Sequence, residues 1–443
     1  MGDLDGKLAE LSRVIEANPK DVQAYYERGI LRDMKGDSEG ALADYTSAVE
    51  RDPNCGRAYY GRAIVSSKAG NLDAALVDYT RAIEIFTGRG VVEDKSGAVI
   101  GVLSNRSSRL AVDSCFAKAY LGRARILDKK GDSVASLTDL SRAIAIEPHY
   151  ARAFYERGLV EQRHGDLDGA LADYSTAIEM DPNNPKAHYC RGVARSESGL
   201  LDAAAEDYTR AIQLDGRYAK AYYGRGLVKQ KKGDIVGALA DLTRAIEFDL
   251  NLFQVSVARG LVKTEMGDRD GALIDFGLAI GIKPRYARAY LGRGVSKWIF
   301  RDFVGSADDL QKALEIDATM DFARVFFYLA RALGPGGEAA ARAELETDLQ
   351  ARARLSSETP WPVPVIRFLR DEITGDALEE AARASPGPRH IGNLAEAYFF
   401  EGMVAWVRGD KARAIVRLEK CIAVEGENTP VRACARAVLG WAR

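Results

Sequence analysis

The sequence predicts an all-α fold built from repeated pairs of antiparallel helices. Residues 24–54, AYYERGILRDMKGDSEGALADYTSAVERDPN, are nearly copied at residues 153–183, AFYERGLVEQRHGDLDGALADYSTAIEMDPN. An Arg recurs at intervals of 34 residues with a single interval of 61, and an Asp follows each Arg by sixteen residues. These pairs are Arg28 and Asp44, Arg62 and Asp78, Arg123 and Asp139, Arg157 and Asp173, Arg191 and Asp207, Arg225 and Asp241, Arg259 and Asp275, and Arg293 and Asp309.

Each repeat contains two predicted helices. Apolar and small residues recur at spacings of three and four, stop at a Gly-Asp or Gly-Asn pair such as Gly36-Asp37, and then resume. The second helix usually ends in Asp-Pro, as at Asp52-Pro53, because proline cannot continue the hydrogen-bond ladder. The pattern therefore predicts two helices of about thirteen residues joined by a tight turn.

This 34-residue unit resembles the tetratricopeptide repeat (TPR), whose marks are aromatic, small, small, aromatic, small and proline residues. The repeat that starts at Lys220 carries these marks at Tyr222, Gly226, Ala238, Leu242 and Ala245. Eight full repeats run from about residue 22 to residue 320. The resemblance implies a right-handed superhelix of helix pairs, an α-solenoid. The repeat at Gln254 departs most from the pattern, so we expect it to be the least stable.

The start of the chain looks like the second half of a repeat. GDLDGKLAELSRVIEANP from Gly2 matches GDLDGALADYSTAIEMDP from Gly165, so we expect a lone second helix whose partner is missing or was removed. The predicted organisation is a half repeat (1–20), repeats 1 and 2 (21–89), an insertion (90–116), repeats 3 to 8 (117–321), a degenerate helical region with a Trp-Pro-rich segment (322–394), and a C-terminal repeat with a closing helix (395–443).

The Arg and Asp of each repeat have two interpretations, a row of charged functional sites or a salt bridge that fixes helix pairing. Their presence in every repeat favours the salt bridge. In the C-terminal repeat, Glu401 takes the Arg place and Arg417 the Asp place, still sixteen residues apart. This joint exchange indicates a direct pair. The Gly after the Arg is expected to let the two helices approach closely.

In TPR proteins, the second, fifth, ninth and twelfth places of each first helix line the concave face, and this resemblance indicates where a partner would bind. Here those places form an aromatic and aliphatic floor with a basic edge, which suits peptide segments with apolar side chains and acidic residues. The alternatives are tyrosines that only pack between repeats and basic residues that are only solvated. The candidate partner-binding residues are Tyr26, Tyr60, Tyr155, Tyr189, Tyr223, Arg57, Lys118, Arg152, Lys186, Lys220 and Arg288.

Composition argues against several other functions. A formal charge of −2 provides no basic field for nucleic acid, and no apolar run is long enough to insert into a membrane. The five cysteines lack metal-ligand spacing, the four histidines are scattered, and no phosphate-binding, nucleophile or dinucleotide motif appears. We therefore expect no cofactor, no metal and no catalysis.

Two further segments depart from the repeat. The insertion at 90–116 holds the apolar stretch GAVIGVL, which we expect to cover a neighbouring helix or the groove. The order of helix, Trp-Pro-x-Pro segment, helix and closing repeat resembles the C-terminal part of bacterial TPR lipoproteins of the NlpI type and their soluble relatives. That resemblance implies a scaffold that often forms a dimer, so a homodimer remains open. As given, the sequence reads as cytoplasmic, with the bacterial envelope the alternative if an N-terminal signal is missing.

The predicted function is a non-catalytic adaptor that binds peptide segments of partner proteins. The alternative is a structural scaffold that self-assembles through exposed terminal repeats.

Overall fold

The computed structural model describes residues 4–88, 91–93, 99–102, 106–351, 361, 363–384, 389–424 and 430–442. The chain divides into two compact units, Met1–Leu200 (unit 1) and Leu201–Arg443 (unit 2). Both units consist of helices that pack against their neighbours in sequence, which confirms the all-α repeat fold. The right-handed superhelix and the predicted domain boundaries remain expectations.

Unit 1 contains ten helices and one short hairpin in its described residues. The helices are α1 (Leu4–Ala17), α2 (Val22–Lys35), α3 (Ser38–Arg51), α4 (Gly56–Lys68), α5 (Leu72–Thr87), α6 (Arg106–Lys129), α7 (Ser133–Ile146), α8 (Ala151–Arg163), α9 (Leu167–Met180) and α10 (Pro185–Glu197). The first helices of repeats 1 to 5 are α2, α4, α6, α8 and α10. Helix α1 packs beside α2 and buries Ile15.

Unit 2 begins with α11 and continues the alternation of second and first helices as far as α17. Its described helices are α11 (Leu201–Leu214), α12 (Ala219–Lys231), α13 (Ile235–Phe248), α14 (Phe253–Glu265), α15 (Arg269–Ile282), α16 (Ala287–Ile299), α17 (Phe303–Ile316), α18 (Asp321–Leu333), α19 (Gly337–Ala351), α20 (Val363–Leu369), α21 (Gly375–Ala384), α22 (Arg389–Val407), α23 (Lys411–Ala423) and α24 (Pro430–Trp441).

The Gly-Asp pair forms the turn within a repeat, as predicted. Gly36 has φ = 84°, a left-handed conformation that side chains disfavour, and its N–H donates to the Asp33 carbonyl at 3.0 Å. The carboxylate of Asp37 then accepts the Gly40 N–H at 2.9 Å and caps the N-terminus of α3. One glycine ends the first helix, and the following Asp starts the second.

The Arg and Asp of a repeat form an ion pair across its two helices. In repeat 7, Arg259 donates to Asp275 from Nε at 2.8 Å and from Nη2 at 2.6 Å, and Asp275 is fully buried. The same two-bond pairing joins Arg28 to Asp44, Arg62 to Asp78, Arg123 to Asp139, Arg157 to Asp173, Arg225 to Asp241, and Arg293 to Asp309. The salt-bridge interpretation is confirmed in these repeats.

The repeat Arg also reaches a third helix. Nη1 of Arg62 donates to the Thr46 hydroxyl on the preceding second helix at 3.3 Å, and Arg225 does the same with Thr209 at 3.1 Å. One guanidinium therefore connects both helices of its own repeat to the repeat before it. The repeat arginines therefore stabilise the packing of the helices.

The glycine after the repeat Arg makes a close helix contact possible at Gly29 and Gly158, as predicted, whereas repeats 2 and 3 have an alanine at this place. A Cβ added to Gly29 would lie 2.8 Å from the Tyr45 ring, and one on Gly158 would lie 2.9 Å from the Tyr174 ring. Both tyrosines are buried on the second helix of the same repeat. Larger residues at these glycines would push the two helices apart.

The insertion includes a two-stranded antiparallel hairpin, β1 (Val91–Glu93) and β2 (Val99–Val102), which sequence reasoning did not predict. Strand β2 lies beside α7. The predicted cover by GAVIGVL depends on side chains outside the described residues. Helix α6 then runs on for 24 residues into the first helix of repeat 3.

The helices after repeat 8 enclose a separate aromatic core in unit 2. Trp298 of α16 is fully buried and packs edge-on against Phe326 of α18 at 5.6 Å and against Phe399 of α22 at 6.0 Å. The predicted charge exchange is also present, since Arg417 Nε lies 3.0 Å from Glu401 Oε2. Glu379 of α21 contacts the same Arg at 2.6 Å. The NlpI-type resemblance of this region is not confirmed.

Candidate functional site

The candidate site is the surface of the first helices that carries the second, fifth and ninth places of each repeat, called here the first-helix face. Spacings of three and four place these side chains on one stripe of each helix. In unit 1, the fifth places are Tyr26, Tyr60, Leu121, Tyr155 and Tyr189, and the second places are Gln23, Arg57, Lys118, Arg152 and Lys186.

The predicted tyrosines are half-buried, and three of them in unit 1 pack against a buried tyrosine of the same repeat. The three described ring pairs of unit 1 are Tyr26 and Tyr45 with centroids 6.1 Å apart, Tyr60 and Tyr79 at 6.0 Å, and Tyr155 and Tyr174 at 6.1 Å. Packing fixes the orientation of each outer ring while part of it stays accessible. The packing and binding interpretations are therefore compatible.

Two buried aliphatic side chains interrupt the row of tyrosines at the fifth place, and their burial was not predicted from the sequence. Leu121 in repeat 3 is only 5% exposed, and Val257 in repeat 7 is 9% exposed. In these repeats the side chain at the fifth place packs in the core, and little of its surface is accessible to a partner. In repeat 4, by contrast, the Tyr155 hydroxyl reaches toward the next first helix and lies 3.6 Å from the Cys190 sulfur.

The basic edge is exposed at Lys118, Arg152 and Lys186, whereas Arg57 is half-buried. Sequence reasoning missed an acidic residue within it. Glu156 lies 3.7 Å from Arg152 and 3.4 Å from Arg125, so it offsets part of the positive charge of repeats 3 and 4.

Shifts of tyrosine pKa show that the basic edge lies close to the aromatic floor. Burial raises the pKa of Tyr26, whereas the positive charge of Arg57 on the next first helix lowers it. Burial raises the pKa of Tyr79 to about 12, against the lowering effect of Arg125 and Arg152. Burial and the neighbouring Tyr79 raise the pKa of Tyr60 in the same way. At neutral pH these hydroxyls are protonated and retain a hydrogen to donate.

Unit 2 repeats this arrangement with Tyr223, Lys220 and Arg288. Tyr223 is half-buried, and the two basic side chains are exposed. Burial raises the pKa of Tyr223 and Tyr286 adds to the rise, whereas the charge of Arg288 acts in the opposite direction. The charge of Arg288 therefore reaches Tyr223 across the unit 2 part of the first-helix face.

A polar ladder runs along one edge of the first helices in unit 1, and sequence reasoning did not find it. Its three rungs join residues 35 apart: Lys68 Nζ to Asp33 at 2.8 Å, Arg163 Nη2 to Asp128 at 2.6 Å, and Gln162 Nε2 to Glu197 at 2.7 Å. Complementary polar residues at this spacing are the signal that could have found it. The twelfth places at 33, 128 and 162 thus bridge adjacent repeats.

No helix among the described residues is long and apolar enough to cross a membrane. Within the same residues, no cluster of three or more His, Cys, Asp or Glu side chains has a geometry for a metal ion.

Comparison with protein families gives two matches. The model described as "TPR repeat" matches residues 163–199 and 195–233, and the model described as "Tetratricopeptide repeat" matches residues 34–89. A search of curated proteins gave no match.

Solved structures with similar folds include YrrB, titled a TPR protein with an unusual peptide-binding site, at 23% identity and a TM-score of 0.36 over 42% of this chain and 95% of that chain. A tetratricopeptide repeat protein from Parabacteroides merdae matches at 18% identity and a TM-score of 0.46, covering 58% of this chain and 97% of that chain. Yeast Tom70 matches at 15% identity and a TM-score of 0.41, covering 87% and 94%. Each TM-score is below 0.5, so these matches give no information on the arrangement of the whole chain.

Proposed function

We propose that this chain, which matches tetratricopeptide repeat models at residues 34–89 and 163–233, is a scaffold for protein interactions and that its first-helix face binds peptide segments of partner proteins. The proposed partner segment carries apolar side chains for the tyrosine floor and acidic side chains for the basic edge. The protein itself contributes no catalytic step.

One observation supports this proposal above the others: a half-buried tyrosine and a basic side chain lie together at the same face in both units. Rings held by a buried neighbour lose little conformational entropy when a partner covers them. Their protonated hydroxyls supply hydrogen bonds to a peptide backbone. The nearby cations attract acidic residues and accelerate association.

The experiment begins with a phage-displayed library of random peptides selected on the full chain. A selected peptide, labelled with a fluorophore, is then titrated by fluorescence anisotropy with the wild type and with Tyr60→Ala, Tyr60→Phe and Lys118→Ala. Loss of a buried aromatic anchor costs about 2 kcal/mol, so Tyr60→Ala should weaken binding by about 30-fold. Tyr60→Phe, which keeps the ring packed on Tyr79, should lose much less.

Lys118→Ala should mainly slow association and reduce its dependence on salt. The matched control is Arg81→Ala, because Arg81 is an exposed cation on the second helix α5, away from the first-helix face. The proposal fails if folded Tyr60→Ala binds every selected peptide with wild-type affinity, or if Arg81→Ala weakens binding as much as Tyr60→Ala does.

The alternative, self-assembly through terminal repeats, places the functional contact on α1 rather than on the first-helix face. It predicts that truncation of residues 1–17 abolishes association between copies and leaves peptide binding intact.

A further inference from the structure

Helix α15 in unit 2 carries an exposed aliphatic stripe that nothing in the proposed function uses. Ile274, Leu278 and Ile282 follow one another at intervals of four residues and are 63%, 47% and 43% exposed. Intervals of four keep them on one side of the helix. This stripe lies on a second helix, and therefore away from the first-helix face.

The stripe departs from the repeat pattern at two of its three places, whereas the place of Ile282 is apolar in most repeats. Where α15 has Leu278, the other seven repeats carry a polar residue, namely Ser47, Arg81, Arg142, Thr176, Arg210, Arg244 and Lys312. Where α15 has Ile274, they carry Ala43, Val77, Thr138, Ala172, Glu206, Ala240 and Asp308. Only α15 combines aliphatic residues at both places.

Two glycines beside the stripe are not required by the packing of the chain itself. A Cβ added to Gly277 or Gly281 would meet no other atom within 4 Å, and neither residue has a positive φ. A glycine inside a helix costs about 0.5–1 kcal/mol relative to alanine, so both weaken α15 without an internal benefit. Because these glycines have no side chains, the backbone of another helix can approach this side of α15 closely.

The ends of the stripe carry opposite charges. Asp270 is exposed four residues before Ile274, next to the exposed Arg269. Arg285 is exposed in the turn that follows α15, three residues after Ile282 and close in sequence to the exposed Lys283. When two copies of this segment run antiparallel, the acidic residue of each copy faces the basic residue of the other, and the aliphatic residues face one another. In an antiparallel arrangement, Leu278 faces Leu278 of a second copy, and the acidic end of each helix meets the basic end of the other.

We propose that α15 is a self-association surface through which two copies of this chain pair antiparallel. The stripe is smaller than the roughly 1,200–2,000 Å² of a standard stable interface, so the dimer is weak, with a dissociation constant on the order of tens to hundreds of micromolar. The pairing leaves the first-helix face of both copies uncovered. It does not depend on the proposed peptide binding.

The test is sedimentation equilibrium of the full chain, 48.3 kDa, from about 5 to 500 µM. The average mass of the wild type should rise with concentration and lie clearly between the monomer and dimer masses at the upper end of this range. Leu278→Arg, which introduces a residue common at this place in other repeats, should stay monomeric throughout. The control is Val236→Arg on α13, since Val236 is 72% exposed but lies outside the stripe, and it should associate like the wild type.

The charge order supplies a second, independent measurement. Asp270→Lys and Arg285→Glu should each weaken self-association at low salt by several-fold, because each places like charges together at both ends of the pair. An equimolar mixture of the two variants should associate like the wild type, since each end then pairs opposite charges. A wild type that remains monomeric at 500 µM, or a Leu278→Arg variant that dimerises as well as the wild type, would overturn the proposal.

Discussion

Loss of the repeat arginine should cost more in repeat 4 than in repeat 7. In repeat 4, Arg157 donates to Asp173 at 2.6 and 2.8 Å, and the residue one turn further along α8 is Glu161. Burial and then the Asp173 charge raise the pKa of Glu161 to about 7. In repeat 7, the same place holds Lys263, which lies 2.9 Å from Asp275. Arg157→Ala therefore leaves two adjacent carboxylates, whereas Arg259→Ala leaves one carboxylate with a remaining cation.

The magnitudes follow from this difference. Breaking a buried ion pair from one side costs about 3–5 kcal/mol, and we expect the upper half of that range in repeat 4. The remaining lysine should limit the loss in repeat 7 to about 2–3 kcal/mol. The difference of about 2 kcal/mol corresponds to about 30-fold in a local opening constant. Adding Glu161→Lys to Arg157→Ala should restore about 1–2 kcal/mol, because the new ammonium replaces the lost positive charge.

Native-state hydrogen exchange is the suitable assay, because repeat arrays open locally and one global unfolding free energy would average over them. The amides of α8 and α9 report on repeat 4, and those of α14 and α15 on repeat 7. Equal losses in the two repeats, or no recovery of protection with Glu161→Lys, would refute the reasoning about the local charges.

Three further predictions concern single groups. The pKa of Glu161 lies above its ordinary value of 4.5, so folding binds a proton between pH 4.5 and about 7, and stability falls as pH rises through that window. Glu161→Gln should remove the fall and gain about 1–2 kcal/mol above pH 7, after allowance for partial solvent access, with no gain below pH 4.5; amide exchange in α8 and α9 at pH 4 and pH 8, corrected for the intrinsic exchange rates, tests this. Gly233 has φ = 83° after α12, so Gly233→Ala should cost about 1 kcal/mol and Gly233→Asn less, as measured by exchange in α12 and α13; equal losses would contradict the left-handed turn. Burial raises the pKa of Glu396 to about 7, and the indole N–H of Trp361, 2.5 Å away, opposes the rise. Trp361→Phe should therefore raise that pKa further, and a carboxyl-carbon NMR titration that shows no change would count against this contact.

Much of the repeat could be predicted from the sequence because its determinants recur at fixed spacing. The turn at Gly36, the pair Arg259 and Asp275, and the exchange of Glu401 with Arg417 each depend on residues less than one repeat apart. Contacts that occur once lack such a signal. Glu379 joins Arg417 from a helix outside the repeat pattern, so no spacing rule indicates it.

The candidate site could be predicted only in part for the same reason. The fifth place identified the half-buried tyrosines, yet periodicity alone does not distinguish an accessible Tyr60 from a buried Leu121. Exposure there depends on how the adjacent helices pack, and α6 continues from the insertion rather than starting at the usual turn. Glu156 was missed because its contacts with Arg125 and Arg152 are not repeated, although Glu27 holds the same place in repeat 1.

Photocrosslinking tests the central claim, partner binding at the first-helix face, most directly. A benzoylphenylalanine replaces Lys118 in one variant and Thr138 in another; both sites are exposed in repeat 3, on the first helix α6 and the second helix α7 respectively. Each variant is irradiated with the same selected peptide at equal occupancy. The account predicts a crosslinked product for the Lys118 position and none for the Thr138 position. Crosslinking at Thr138 without crosslinking at Lys118 would contradict it.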